Sequence, residues 1–387
     1  MRRIVRTART SLTIAVAAVL LQARAFAQAP AFHYPRPDPG TMVVSRDVQY
    51  AAADAVSLRM DVYRPAHAAA PSPALIIFHL AVGDARRNAL SESWAQIAAA
   101  RGIVAIVPDL RSAAARDDFQ RLLDHLTMRA AEYGLDRDAI AVYAGSGNVS
   151  TALPLLEDPQ QTRVKAAVIY YGVGPVERMR LDLPVLYVRA GLDRPGVNAE
   201  IDALIARGIA ENAPITLMNL PGSYHAFETR NDDAATRTAI DRTLEFVVAA
   251  TNPRYQADLR RSAREAGAAG DVARGRFAAA AMVYEQLAAE QPQNTTLRLA
   301  YGEALLGAGR FADACAEFEQ LKGRGLGARD LGLPAARACL RKGEPDAAIA
   351  WLRTIPPRFL PPTVRTDPAF ATLQHRADFQ ALFAPRQ

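Results

Sequence analysis

The chain has 387 residues, half of them apolar and 22% charged, the balance of a globular protein long enough for two domains. Its two cysteines exclude a disulfide-dense scaffold and a zinc site with four cysteine ligands. The formal charge of +6 does not mark a nucleic-acid surface, because five of those charges are Arg2, Arg3, Arg6, Arg9 and Arg24, in an acid-free stretch that ends at Ala27.

Those arginines belong to the first element. Arg2 to Arg9 form a basic region, residues 11–21 are uncharged and mostly apolar, and Ala25-Phe26-Ala27 offers small residues for cleavage. This is the order of a secretory signal peptide. The apolar run falls short of the roughly 20 residues a membrane span needs. Residues 1–27 are therefore expected to be cleaved, leaving a bacterial periplasmic or secreted chain without a stable membrane anchor. Residues 28–41, rich in proline and glycine, read as an extended lead-in.

Residues 42–50 and 56–63 predict an opening hairpin. Residues 74–79 (ALIIFH) form the continuous apolar run of a strand buried on both faces. A helix over 93–101 stops at Gly102, and a second buried strand covers 103–108. A helix over 116–133 stops at Gly134. Further strands are expected at 139–144, 165–170, 184–189 and 214–219, with helices at about 149–157, 198–207 and 233–250 between them. Strands alternating with helices define an α/β domain over 42–250, with a mostly parallel sheet covered on both faces.

Thr251-Asn252-Pro253-Arg254 breaks this pattern, and residues 255–387 read as all-helical. They also repeat. Gly275-Arg276-Phe277 recurs 34 residues on as Gly309-Arg310-Phe311, and Gly343 continues the series. Ala280 recurs as Ala314 and Ala348, and Tyr284 as Phe318. A 34-residue helical period resembles the tetratricopeptide repeat. The resemblance implies helix pairs with glycine at the turn, an aromatic opening the second helix and alanine where helices pack closely. It also implies a scaffold able to hold a protein partner. Tyr301-Gly302 falls on a first helix, Phe311, Ala314 and Phe318 fall on a second, and Pro345 replaces the aromatic in the third repeat. Residues 360–383 are expected to cap the last repeat. Cys315 and Cys339 alternate with alanines and are expected as two buried thiols, although an exported protein permits a bridge.

Ser146 carries the chemistry. Its surroundings, Ala144-Gly145-Ser146-Gly147-Asn148, follow a buried strand and precede a helix. A nucleophile elbow needs such a turn, with small residues two before and two after the serine. Asn148 is larger than the usual glycine, but Asn tolerates unusual backbone angles. A serine hydroxyl needs a base, and the base an orienting acid. His225, in Pro221-Gly222-Ser223-Tyr224-His225-Ala226-Phe227, lies in a turn after the last strand. Asp193, in Ala190-Gly191-Leu192-Asp193, follows the strand before it. Asp182 precedes that strand and would sit at the wrong end. Asp109 is expected to pair with Arg111. The order Ser146, Asp193, His225 places all three at the carboxyl ends of strands, where open α/β sheets bind ligands.

Residues 42–250 resemble the α/β-hydrolase superfamily, especially its dienelactone-hydrolase-like and small carboxylesterase branches. Leu58-Arg59-Met60-Asp61-Val62-Tyr63-Arg64-Pro65, Pro108-Asp109-Leu110-Arg111 and Tyr224-His225-Ala226-Phe227 carry the likeness. It implies a Ser-His-Asp catalyst acting on a small-molecule ester, thioester or lactone, with no metal or organic cofactor. The family often has His-Gly after its third strand, whereas this chain has His79-Leu80-Ala81-Val82-Gly83. The oxyanion hole is then expected from the N–H of Gly147 plus that of Leu80 or Ala81, with His79 shaping the loop. The alternative is an inactive hydrolase-fold protein that binds or assembles through its helical repeats.

Overall fold

The computed structural model describes residues 32–68 and 71–383, so the signal-peptide segment lies outside the described residues. The chain divides into two compact units, Met1–Ala257 and Asp258–Gln387.

The first unit is built on one sheet. Its strands are β1 (Met42–Ala53), β2 (Val56–Pro65), β3 (Ser72–Phe78), β4 (Val104–Pro108), β5 (Leu135–Gly145), β6 (Val164–Tyr170), β7 (Val185–Ala190) and β8 (Ile215–Leu220). They lie in the order β1-β2-β4-β3-β5-β6-β7-β8. Pairings β1·β2 and β2·β4 are antiparallel and the others parallel. Helices α1 (Ala89–Ala100), α2 (Ala115–Met128), α3 (Val149–Leu156), α4 (Pro195–Ala210) and α5 (Ala234–Ala250) fall between or after the strands.

Successive side chains of a strand point to opposite faces. Ala74, Ile76 and Phe78 accordingly join the core that includes Leu122 of α2, Leu153 of α3 and Ile201 of α4. Leu75 and Ile77 join the opposite core, with Trp94 of α1 and Leu244 of α5. Both faces are apolar, which explains why β3 reads as an unbroken apolar run. The fold is that of an α/β hydrolase.

The second unit is helical. After α6 (Pro253–Ala273) come α7 (Phe277–Glu290), α8 (Thr295–Gly307), α9 (Phe311–Leu321), α10 (Ala328–Lys342) and α11 (Pro345–Thr354). Gly275, Gly309 and Gly343 all have positive φ, at 72°, 77° and 98°, which explains glycine at each 34-residue step. Ala280, Ala314 and Ala348 are fully buried. A Cβ on Gly302 would stand 2.6 Å from the Phe318 ring, so this pair of positions sets the close approach of α8 and α9. Pro345 occupies the first turn of α11, where its missing N–H leaves no bond unmade. Phe370, Leu373 and Phe379 of the final short turns are buried against this core.

The cysteines correct the sequence reading. Cys315 and Cys339 form a disulfide, not two thiols. Their α-carbons are 5.0 Å apart on the neighbouring helices α9 and α10. The buried alanines around them, which suggested inert thiols, are what let the helices approach closely enough for bonding.

Candidate functional site

Strand β5 ends at Gly145, and the chain turns through Ser146–Asn148 into α3. Ser146 has a φ of 55°, a strained conformation for a residue with a Cβ. The turn survives because its surroundings hold it. A Cβ on Gly172 would lie 2.5 Å from Ser146 O and 2.6 Å from Val149 Cγ2, so the chain after β6 presses on the elbow and only glycine fits. The Gly147 N–H stands at the amino end of the turn, where helical N–H groups lack intrahelical partners.

The acid and the imidazole come from adjacent loops. Asp193 follows β7, and its Oδ1 accepts the Arg194 N–H at 2.7 Å. The His225 loop follows β8. Leu192 N–H donates to Ser223 O at 2.9 Å, tying the two loops together. Gly191 admits Pro221, whose carbonyl oxygen would be 2.5 Å from a Cβ there. Asn231 Oδ1 accepts the Tyr224 N–H at 3.1 Å and steadies the turn ahead of His225.

These elements bring three residues into line. Ser146 Oγ is 2.7 Å from His225 Nε2. His225 Nδ1 is 2.6 Å from Asp193 Oδ2. The Asp193 side chain is 1% exposed and the His225 side chain 23%, so the acid is enclosed while the imidazole reaches the surface. Asp182 is elsewhere engaged: its two oxygens take Nε and a terminal nitrogen of Arg180, each at 3.0 Å.

The loop after β3, expected to supply an oxyanion donor, departs from expectation. The Leu80 N–H donates to Asn148 Oδ1 at 3.0 Å. The Ala81 N–H turns back to His79 O at 2.9 Å. Neither of the two donors read from the sequence is therefore free. Asn148 itself is ordinary in backbone, with φ −67° and ψ −23°; the unusual angle belongs to Ser146. What the asparagine contributes is its amide, which also donates to Gly145 O at 3.2 Å and to His79 Nδ1 at 3.3 Å. Burial lowers the pKa of His79. His79 thus shapes the loop through its bonds to Asn148 and Ala81.

A buried ion cluster anchors the same loop. The Arg86 side chain, 1% exposed, pairs with Asp61 and Asp109 at 3.0 Å each and also with Asp47. Asp109 additionally accepts the Gly83 N–H at 2.8 Å. The expected Asp109–Arg111 pair does not form. Arg111 is drawn instead to Asp118 on α2, with contacts of 2.9 and 2.7 Å, and to Asp54 at 2.7 Å.

Behind His225 lies a group the sequence did not reveal. Glu228 is fully buried and accepts hydroxyls from Tyr143 at 3.0 Å and Tyr171 at 2.8 Å. Burial raises its pKa. The Tyr171 ring lies 4.7 Å from the His225 ring. Three residues of spacing between His225 and Glu228 gave the only signal, and it is uninformative without the tyrosines. Among the described residues, the one cluster with ligand atoms close enough for a metal is Cys315, Cys339 and Glu344, and its two sulfurs are bonded to each other.

Comparison with known proteins places the first unit. The model of the dienelactone hydrolase family matches residues 58–251, half of the chain. The chain belongs to the dienelactone hydrolase family. A tetratricopeptide-repeat model matches residues 271–325. Solved structures with a similar fold include a bacterial heroin esterase, at 14% identity over 62% of this chain and 90% of that one, with a TM-score of 0.46. A truncated carbohydrate esterase from gut microbiota has 16% identity over 56% and 99%, with a TM-score of 0.46. A thermophilic esterase from the planctomycete Thermogutta terrifontis has 20% identity over 56% and 95%, with a TM-score of 0.42. No curated protein matches the chain in sequence.

Proposed function

We propose that this member of the dienelactone hydrolase family is an exported serine hydrolase that cleaves a carboxylic ester, thioester or lactone. The observation that carries the reading is the continuous hydrogen-bonded line from Ser146 Oγ through the His225 imidazole to Asp193. His225 Nε2 takes the proton as Ser146 Oγ attacks the carbonyl carbon. Asp193, enclosed and bonded to Nδ1, fixes the tautomer and stabilises the imidazolium. The Gly147 N–H stabilises the oxyanion of the tetrahedral intermediate. Collapse expels the alcohol or thiol, which takes its proton from His225, and leaves an acyl-Ser146. Water then attacks with His225 as base, and the acid departs. Export is supported by the basic and apolar order of residues 1–27 and by the Cys315–Cys339 bridge, a bond of oxidising compartments. The tetratricopeptide-like unit would hold a protein partner.

The test is turnover of nitrophenyl esters, thioesters and lactones by the mature protein. Ser146→Ala and His225→Ala should each lower kcat by about 10⁴-fold or more. Turnover that survives Ser146→Ala refutes the assignment. A second reading, an inactive hydrolase fold working through its repeats, draws on the occupied Leu80 and Ala81 N–H groups and expects no turnover from folded protein.

A further inference from the structure

One side chain joins the turn after β5 to the loop after β3. Asn148 Oδ1 accepts the Leu80 N–H, and Asn148 Nδ2 donates to Gly145 O and His79 Nδ1. Only one orientation of the amide satisfies all three partners. Turned over, its NH2 would face an N–H and its oxygen a carbonyl oxygen. His79 strengthens this choice, because burial favours its neutral form, whose Nδ1 can accept. The backbone at 148 is ordinary right-handed helix, so no conformational demand requires asparagine there.

The Leu80 N–H is the donor that would join Gly147 in holding the oxyanion. It already holds an oxygen. We propose that Asn148 is a latch on the oxyanion hole. In the resting protein its amide oxygen occupies the Leu80 N–H, and the reacting carbonyl oxygen displaces it as negative charge develops. The inference rests on the serine-hydrolase reading. Hydrogen bonds to an ionised acceptor are about twice as strong as neutral ones. A neutral ester carbonyl therefore competes poorly with the amide, whereas the tetrahedral oxyanion competes well. The latch thus acts on kcat more than on KM. Asn148 is a positioning residue: it acts through the Leu80 N–H and transfers no proton.

The experiment compares the mature protein with Asn148→Ala and Asn148→Asp. A whole oxyanion donor is worth about 10²–10³ in kcat. Removing the latch returns part of this, so Asn148→Ala should raise kcat on a nitrophenyl ester by about ten- to a hundredfold with KM little changed. Affinity for a trifluoromethyl ketone, whose serine adduct carries the same oxyanion, should rise by a similar factor. Asn148→Asp keeps the acceptor and adds charge, so it should lower both. If Asn148→Ala does not fold, Asn148→Gly serves in its place. A merely structural asparagine would give lower kcat in all three. A fall or no change in kcat for folded Asn148→Ala, with Ser146-dependent turnover intact, overturns the latch alone. Absence of turnover in the wild type and every variant overturns the hydrolase reading and the latch with it.

Discussion

Replacing Arg86 with methionine removes a buried cation while keeping most of its side-chain length. In the native unit Arg86 faces Asp61, whose side chain is 0% exposed, and Asp109, whose side chain is 4% exposed. Asp61 retains Arg46 at 3.1 Å and Arg87 at 2.7 Å after the change. Among the described residues Asp109 has no other ion partner, and its carboxylate keeps the N–H groups of Gly83 and Arg59. Removing one member of a buried pair costs about 3–5 kcal/mol, because the partner's charge is left without compensation. In a unit of this size each kcal/mol moves the thermal midpoint by about 2–4 °C. The midpoint of the hydrolase unit should therefore fall by about 6–20 °C. Asp109 also fixes Gly83 in the loop after β3, the loop proposed to supply an oxyanion donor, so kcat should fall even at temperatures where the variant is folded. Thermal and urea unfolding followed by circular dichroism measure the first effect, and ester turnover the second. Arg86→Met/Asp109→Asn removes the stranded charge and should recover part of the stability. A loss below about 1 kcal/mol for Arg86→Met would show that the cluster behaves like a solvated surface pair and would refute the reasoning.

Glu157 should give the hydrolase unit a distinctive pH dependence. Burial pushes its pKa up to about 7 from the ordinary 4.5, and its Oε1 has no hydrogen-bond partner among the described residues. The folded state keeps the proton to about pH 7, while the unfolded chain releases it near 4.5. The resulting stability is present below pH 4.5 and lost as pH rises through 7, a change of about 3 kcal/mol. Unfolding of Glu157→Gln beside wild type should show a difference that varies across this window, and a pH-independent difference would refute it. Gly172→Ala forces a Cβ against Ser146 O and should lower kcat by about 10²-fold, since small misplacements of reacting groups carry that penalty. Steady-state kinetics of the folded variant check this. Reduction of the Cys315–Cys339 bridge opens a loop with a sequence separation of 24. Chain entropy puts the loss at about 3.5 kcal/mol for the helical unit, measurable by unfolding with and without reductant.

The sheet was legible because buried parallel strands leave an unmistakable mark. The run at 74–79 overlaps β3 at Ser72–Phe78 over residues 74–78 because both faces of that strand are covered. The helical repeat was legible for a related reason: Gly275, Gly309 and Gly343 each end a turn that only glycine makes easily. Ser146, Asp193 and His225 were singled out by their places at strand ends, and the structure brings their side chains into one hydrogen-bonded line. Sequence distance misled wherever a polar group had several suitors. Arg111 is two residues from Asp109, yet Asp118 lies one helical turn into α2 and takes its Nε and one terminal nitrogen. Arg86, far from Asp109 in sequence, takes its place. Asn148 was noticed for the wrong property: its backbone is ordinary, and its meaning lies in a bond to Leu80 across 68 positions. Glu228 was invisible because its role depends on Tyr143 and Tyr171 arriving from two other strand ends.

The most direct measurement is labelling of the purified mature protein with a fluorophosphonate, followed by peptide mapping, beside Ser146→Ala. An activated nucleophile predicts label on Ser146 alone and none on the variant. A folded wild-type protein that takes no label, or takes it elsewhere, contradicts the assignment of Ser146, His225 and Asp193 as the catalytic line.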